Sequence, residues 1–297
     1  VTAARRRGRP RWYTHRYNRA DLYRLAAGLG WLPRPARLAL ARNVGRLAIR
    51  LMPAEHAVVR RTLAHVLGTT DARRVDALTM RTFTDFAMCF SDLVSTNRQP
   101  AGRLTFRVGR VDGVDRIRTG AGLISLTAHV GNWELAGRLL AGRTARPTHV
   151  VVAEEEALEL ERWVRRNGDG VRFVTRSRPT ISLELVAALR REEVVAVQGD
   201  RALGTRGDLL VPFFGRPAPF PLGPFILARA VGMPLVPAFC LLEADRRYTV
   251  KVVEPLVVAR GGEEEAARAW VGVLEDVVRQ YPTQWFNFFD IWNPWPA

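Results

Sequence analysis

Lysine is nearly missing from this chain of 297 residues. Lys251 is the single one, so the phosphate-binding pattern G-x-x-x-x-G-K-[ST] is excluded. Cysteine is scarce as well. Cys89 and Cys240 lie far apart in apolar surroundings and read as small core residues, with nothing that argues for a disulfide or a metal site. There is no H-E-x-x-H, which leaves a zincin-type centre unsupported, and no G-x-S-x-G, which argues against a common serine hydrolase. No stretch reaches the roughly 18 consecutive apolar residues of a membrane-spanning helix. The basic segment Arg5–Arg11 is not followed by an apolar core, so no secretory signal is expected. The chain is therefore expected in the cytoplasm or, peripherally, on the cytoplasmic face of the cell membrane.

What the chain does have is positive charge. Lys plus Arg number 45 against 29 Asp plus Glu, a net charge of +16, carried almost wholly by arginine. Such a balance calls for an anionic partner: nucleic acid, an anionic membrane or an anionic substrate. Arginine-rich usage in a GC-rich genome accounts for part of it equally well. The 47% hydrophobic content is enough for an ordinary buried core. No internal repeat or interdomain linker stands out. The reading is a disordered basic tail over 1–18 and a single domain over 19–297, helical from 19 to 100 and α/β from 101 onward.

In the helical part, the pattern from Asp21 to about Met52 is interrupted near Pro33 and Pro35. Arg37, Arg42, Arg46 and Arg50 accompany Leu38, Leu40, Val44, Leu47 and Leu51. That composition suits a helix lying in a membrane interface, and equally a core-packed helix with a solvated arginine face. Further helices are expected over about 55–67 and 72–94. Phe83, Phe86, Met88 and Phe90 in the second read as core before they read as the wall of an acyl-chain groove. After Pro100 strands and helices alternate, the mark of an α/β sheet. Strands are expected at 104–111, 122–128, 148–153, 171–175, 193–198, 234–242 and 247–253. Helices fit at 132–142, 155–167, 180–191, 222–231 and 263–280. The fold class is a mixed, largely parallel central sheet flanked by helices, with an N-terminal membrane-associating helical segment.

The most informative string runs from Leu123 to Gly137, LISLTAHVGNWELAG. It places His129 at the end of an apolar run that reads as a buried strand. Asn132 is a good N-cap, and Glu134 falls in the first turn of the following helix, where negative charge is favoured. An imidazole held by a carboxylate is the usual general base near neutral pH, and open α/β sheets place ligands beyond the C-terminal ends of their strands. Taken alone, the string reads equally as a surface histidine beside a helix-start glutamate. With no protein nucleophile in sight, the chemistry that fits is direct transfer: His129 takes a proton from a substrate hydroxyl, which attacks a carbonyl. Asp200 and Arg201 follow the run Val194–Gln198 and would sit on the same sheet edge.

H-x-x-x-x-[DE] after a hydrophobic strand resembles the hallmark of the glycerolipid acyltransferase superfamily. The string from His129 to Gly137 looks most like the branch holding the late acyltransferases of lipid A biosynthesis and the phosphatidylinositol mannoside acyltransferases. Gln198-Gly-Asp-Arg201, Gly204, Gly207 and Val211–Pro217 are similar to a second block of that family, and Leu227–Pro237 to its helix-strand continuation. The resemblance covers about residues 20–290. The ending Trp285-Phe-Asn-Phe-Phe-Asp-Ile-Trp292 departs from the more basic ending of the lipid A enzymes.

The resemblance implies O-acyl transfer from a thioester of acyl carrier protein or coenzyme A to a lipid or glycolipid hydroxyl, with no metal or bound cofactor. His129 would be the base and Glu134 its orienting, charge-stabilising partner, with Asn132 close by at the substrate. Asp200 and Arg201 would order the site or bind the acceptor. An arginine near 165–166, for which Arg166 is preferred to Arg165, would meet the acyl carbonyl or an anionic headgroup, the fixed donors of a guanidinium suiting either. The same two arginines also read as a helix C-terminus satisfying its dipole. Phe213, Phe214, Phe220 and Phe225, among Pro212, Pro217, Pro219 and Pro221, form a stiff aromatic segment that reads first as core. The charge alone suggests a nucleic-acid-binding protein, but no recognised DNA- or RNA-binding signature accompanies it and the basic residues are spread along the chain. A catalytically silent membrane scaffold is the third reading, against which the His129/Glu134 pair speaks.

Overall fold

A computed structural model describes residues 28–96, 107–117, 121–152, 170–176, 179–204 and 207–293. The tail at 1–18, the helix expected over 155–167, and Arg165 and Arg166 lie outside these residues.

Ahead of the sheet run the helices α1 (Arg34–Leu51), α2 (Pro53–Leu67) and α3 (Ala72–Thr96). Pro33 and Pro53 stand where the chain enters α1 and α2, positions that need no backbone N–H. Beyond them run β1 (Val108–Asp112), β2 (Leu123–Thr127), α4 (Trp133–Thr144), β3 (Thr148–Val152), β4 (Val171–Thr175), α5 (Ile181–Arg190) and β5 (Val194–Gln198). The chain continues through β6 (Asp208–Phe213), β7 (Arg216–Pro221), α6 (Gly223–Val231), β8 (Leu235–Leu242), β9 (Tyr248–Val252) and α7 (Glu263–Gln280).

Seven strands form one sheet in the order β1-β9-β8-β2-β5-β3-β4. All neighbours are parallel except β8 and β9, which are joined antiparallel. The expected mixed, largely parallel sheet flanked by helices is what forms. The β2 strand is buried at every position because it lies at the centre and is covered on both faces. One face, with Ile124, Leu126, Val195 and Val197, packs on α5, α6 and α7 around Trp270. The other carries α4, whose Leu135 meets Leu38 and Ala41 of α1, Met88 and Cys89 of α3, and Cys240, Leu242 and Tyr248 of the sheet. Gly45 allows the α1–α3 approach: a Cβ there would stand 2.7 Å from the Phe83 carbonyl oxygen.

The hairpin β6–β7 was not expected as strands. Pro212, Pro217, Pro219 and Pro221 lie inside it and remove ladder donors, so the segment reads as a non-strand; it survives as a separate two-stranded pair. Phe213 and Phe220 of the hairpin and Phe225 of α6 are fully buried, in line with the core reading.

Arg37 departs from the interfacial reading. It is buried, because Asp92 of α3 draws it inward: its Nη2 donates to Asp92 Oδ1 at 2.7 Å. Arg34 donates to the same carboxylate at 2.7 Å, Arg107 at 3.3 Å and the Tyr248 hydroxyl at 3.1 Å. Burial pushes the Asp92 carboxyl up, but the three guanidiniums outweigh it and hold the group below the usual carboxylate range. What remains outward on α1 is a stripe of Leu40, Val44, Leu47 and Leu51, with Trp31 just before it. At about 100° per residue the four stripe positions fall within an arc of ~60°, with Arg50, Arg46 and Arg42 following round the helix at about 90°, 130° and 170° from its centre.

Removing one partner from a buried ion pair costs about 3–5 kcal/mol, because the others remain buried and uncompensated. Asp92→Ala is expected to lose that much in chemical denaturation, whereas Asp76→Ala, which breaks the exposed Arg60–Asp76 pair, should lose under about 1 kcal/mol. The folded pKa of Asp92 lies below its unfolded value. Its stabilisation is therefore complete above the ordinary carboxylate range and is lost as pH falls through the folded value. Asp92→Asn should flatten that acid limb.

Candidate active site

β2 and β5 are adjacent and parallel, with Thr127 opposite Gln198. The ladder runs one step further, the Gly199 amide donating to the Thr127 carbonyl at 2.9 Å. His129 and Asp200 each lie two residues beyond those partners, so the register delivers them to the same place. The His129 amide donates to Asp200 Oδ2 at 3.0 Å, and Nδ1 lies 2.8 Å from Oδ1. Burial raises the Asp200 carboxyl, but the imidazole and then Arg201 pull harder and leave it below the ordinary carboxylate range. An ionised carboxylate only accepts, so Nδ1 carries the hydrogen and donates it to Oδ1. The ring is nearly buried, and Trp133 lies beside it with centroids 4.8 Å apart.

The loop holding His129 is fixed from several sides. The His129 carbonyl accepts from the Phe286 amide at 2.8 Å, the Gly131 amide donates to the Gln284 carbonyl at 2.8 Å, and the Asn132 amide to the Cys240 carbonyl at 2.7 Å. Gly131 has φ +61, and a Cβ there would run into the Cys240 carbonyl oxygen, so this turn requires glycine. Asn132 caps α4, its Oδ1 accepting from the Leu135 amide, while its Nδ2 donates to the Cys89 carbonyl at 3.0 Å and the Tyr248 hydroxyl at 3.1 Å.

These placements sort the residues singled out from sequence. His129 and Asp200 come together. Glu134 stands in the first turn of α4 as expected, and the carboxylate on Nδ1 is that of Asp200. The amide of Asn132 is engaged within the protein on both its atoms, which corrects its assignment to substrate: it is the cap the sequence also suggested. Arg201 is turned to the C-terminal segment, with Nη2 donating to the Phe286 carbonyl at 3.3 Å and the guanidinium over the Phe289 ring at 5.5 Å. Sequence reasoning missed Tyr248 and the Trp285–Phe286 clamp. The equal offset of His129 and Asp200 from their strand ends was the available signal for their pairing.

Comparison with known proteins gives a concordant picture. Residues 22–293 match the family described as bacterial lipid A biosynthesis acyltransferase. The phosphatidylinositol mannoside acyltransferase of Mycobacterium tuberculosis strain H37Rv is 27% identical over 243 residues, 79% of this chain and 76% of that protein. The protein of the same description from Mycolicibacterium smegmatis is 26% identical over 242 residues, 79% of this chain and 78% of that one. Among solved structures, the 1-acyl-sn-glycerophosphate acyltransferase of Thermotoga maritima aligns at a TM-score of 0.42 with 17% identity, covering 86% of this chain and 100% of that one.

Asp200→Asn removes the charge that favours the protonated imidazole and is expected to make His129 less basic. Titration of the ring nitrogens by NMR reads this directly. An unmoved His129 titration would show that the Asp200 contact carries no electrostatic weight.

Proposed function

The chain belongs to the bacterial lipid A biosynthesis acyltransferase family and is an acyltransferase of the lipid or glycolipid type, and from that premise we propose how it works and where. It moves a fatty acyl group from a thioester of acyl carrier protein or coenzyme A to a hydroxyl of a membrane lipid or glycolipid. The observation that carries this reading is the imidazole of His129, fixed through Nδ1 by the buried carboxylate of Asp200. Nε2 takes the proton of the acceptor hydroxyl as its oxygen attacks the thioester carbonyl. Collapse of the tetrahedral species breaks the carbon–sulfur bond, and the departing thiolate takes the proton back from Nε2. Asp200 stabilises the imidazolium between these steps. Glu134, on the first turn of α4, adds a second carboxylate to that task, and Arg166 with nearby backbone amides meets the oxyanion. The thioester brings its own leaving group, so the reaction needs no metal or bound cofactor.

The reaction is placed at the cytoplasmic face of the membrane, where a lipid acceptor meets a donor arriving from water. No described helix is long and apolar enough to cross a membrane. The outward stripe of α1 supplies apolar surface for insertion, and Arg50 and Arg46, nearer to it than Arg42, add roughly 1 kcal/mol each near an anionic surface. Arg37 takes no part, being engaged with Asp92.

His129→Ala is expected to cut turnover by at least about 10²-fold, the usual scale of one general base, with an unchanged melting temperature. The assay pairs palmitoyl coenzyme A with phosphatidylinositol mannoside, the acceptor in the relatives' description. Asp200→Asn should cost more than Glu134→Gln. Near wild-type turnover in the purified His129→Ala protein would sink the mechanism.

In liposome sedimentation, attachment should favour anionic vesicles and weaken with salt. It should weaken further in an Arg42→Glu/Arg46→Glu/Arg50→Glu protein. Equal binding to neutral and anionic vesicles, or no loss on reversal, would place the docking surface elsewhere.

A further inference from the structure

Four residues close a ring of contacts around the base. Asp200 holds His129 through both Nδ1 and the backbone amide. Arg201, the next residue, donates from Nη2 to the Phe286 carbonyl at 3.3 Å. The Phe286 amide in turn donates to the His129 carbonyl at 2.8 Å, and Val130 bridges antiparallel to Trp285. The side chains of Asp200 and Arg201 thus grip the His129 loop from two directions, one directly and one through the C-terminal segment. Elsewhere that segment is fastened by apolar contacts, Phe286 lying edge-on to Phe86 at 5.2 Å and Trp285 edge-on to Phe213 at 5.3 Å, and by hydrogen bonds of Gln284 with Leu242 and of Thr283 with Asp85. The Arg201 guanidinium adds a cation over the Phe289 ring at 5.5 Å.

We propose that Arg201 is a positioning residue for the base, holding His129 through the carbonyl of Phe286 and keeping its charge beside Asp200, instead of touching either substrate. This rests on His129 being the base. A guanidinium suits the task because it can reach a carbonyl with one nitrogen while its plane lies on an aromatic ring. Its charge also opposes the burial that works against an ionised Asp200, so one side chain supports the direction of the ring and the charge of the carboxylate that holds it.

Arg201→Met tests the assignment, since its stem stays on Phe289 while the charge and the donor are removed. Using the full chain with palmitoyl coenzyme A and phosphatidylinositol mannoside, kcat should fall about 10-fold or more, with KM for both substrates within about twofold of wild type. The Nδ1 proton resonance of His129 should shift, which a remote structural role would not cause. Arg201→Lys keeps the charge and a shorter donor and should restore part of kcat; it also serves if the Met protein does not fold. A raised KM for either substrate at unchanged kcat would make Arg201 a substrate contact and overturn the proposal. So would an unchanged kcat with an unmoved resonance. Loss of activity in His129→Ala together with an unaffected Arg201→Met protein would leave the base standing and remove only the positioning role, so the two failures are told apart.

Discussion

The parallel register of β2 against β5 is the constraint on which the site depends. Because Thr127 faces Gln198, two further residues on each strand bring an imidazole and a carboxylate within hydrogen-bond reach without any long loop. A register slip of one residue would turn His129 and Asp200 to opposite faces, since side chains alternate along a strand. The register is secured by burial on both faces. Ile124 and Leu126 interlock with Val195 and Val197 around Trp270, whose indole nitrogen donates to the Gly199 carbonyl at 2.8 Å, one residue from Asp200.

The second constraint is electrostatic and crosses the molecule. Asp92 collects Arg34 and Arg37 from α1 and Arg107 from the entry to β1, and its fourth partner is the Tyr248 hydroxyl. Tyr248 receives Asn132, and Asn132 caps the helix that follows His129. Burial and the neighbouring Cys89 and Asp92 push the Tyr248 hydroxyl well up, so it stays protonated and remains a donor to Asp92. Helices α1 and α3, strand β9 and the His129 turn are thereby fixed to one another by directional bonds as well as by packing.

Much of the sheet was legible because periodicity and length are local signals. The runs at 123–127, 171–175 and 194–198 bounded by turns could only be short buried strands, and α7 showed its core face through Trp270, Val271 and Leu274. What could not be read were relations across the chain. The pairing of β2 with β5 decides that Asp200, not Glu134, meets Nδ1, although Glu134 is nearer in sequence. Arg37 looked like one of four equivalent arginines until α3 supplied Asp92, more than fifty positions away. The prolines of β6 and β7 hid a hairpin because they remove the donors by which strands are recognised. Asn132 was correctly a cap, and that same role took it from the substrate.

The two faces of α1 have a consequence for how this enzyme could be handled. A surface helix with an exposed stripe of leucine and valine invites deletion when a more soluble catalytic unit is wanted. Here the adjoining, inward-turned face of the same eighteen residues carries two of the guanidiniums that neutralise Asp92. Cutting the helix away would leave the buried Asp92 carboxylate with one guanidinium of three, that of Arg107, beside the tyrosine that receives Asn132. Solubility has instead to be sought residue by residue on the outward stripe, leaving Arg34 and Arg37 in place: the helix is not a detachable anchor but part of the frame.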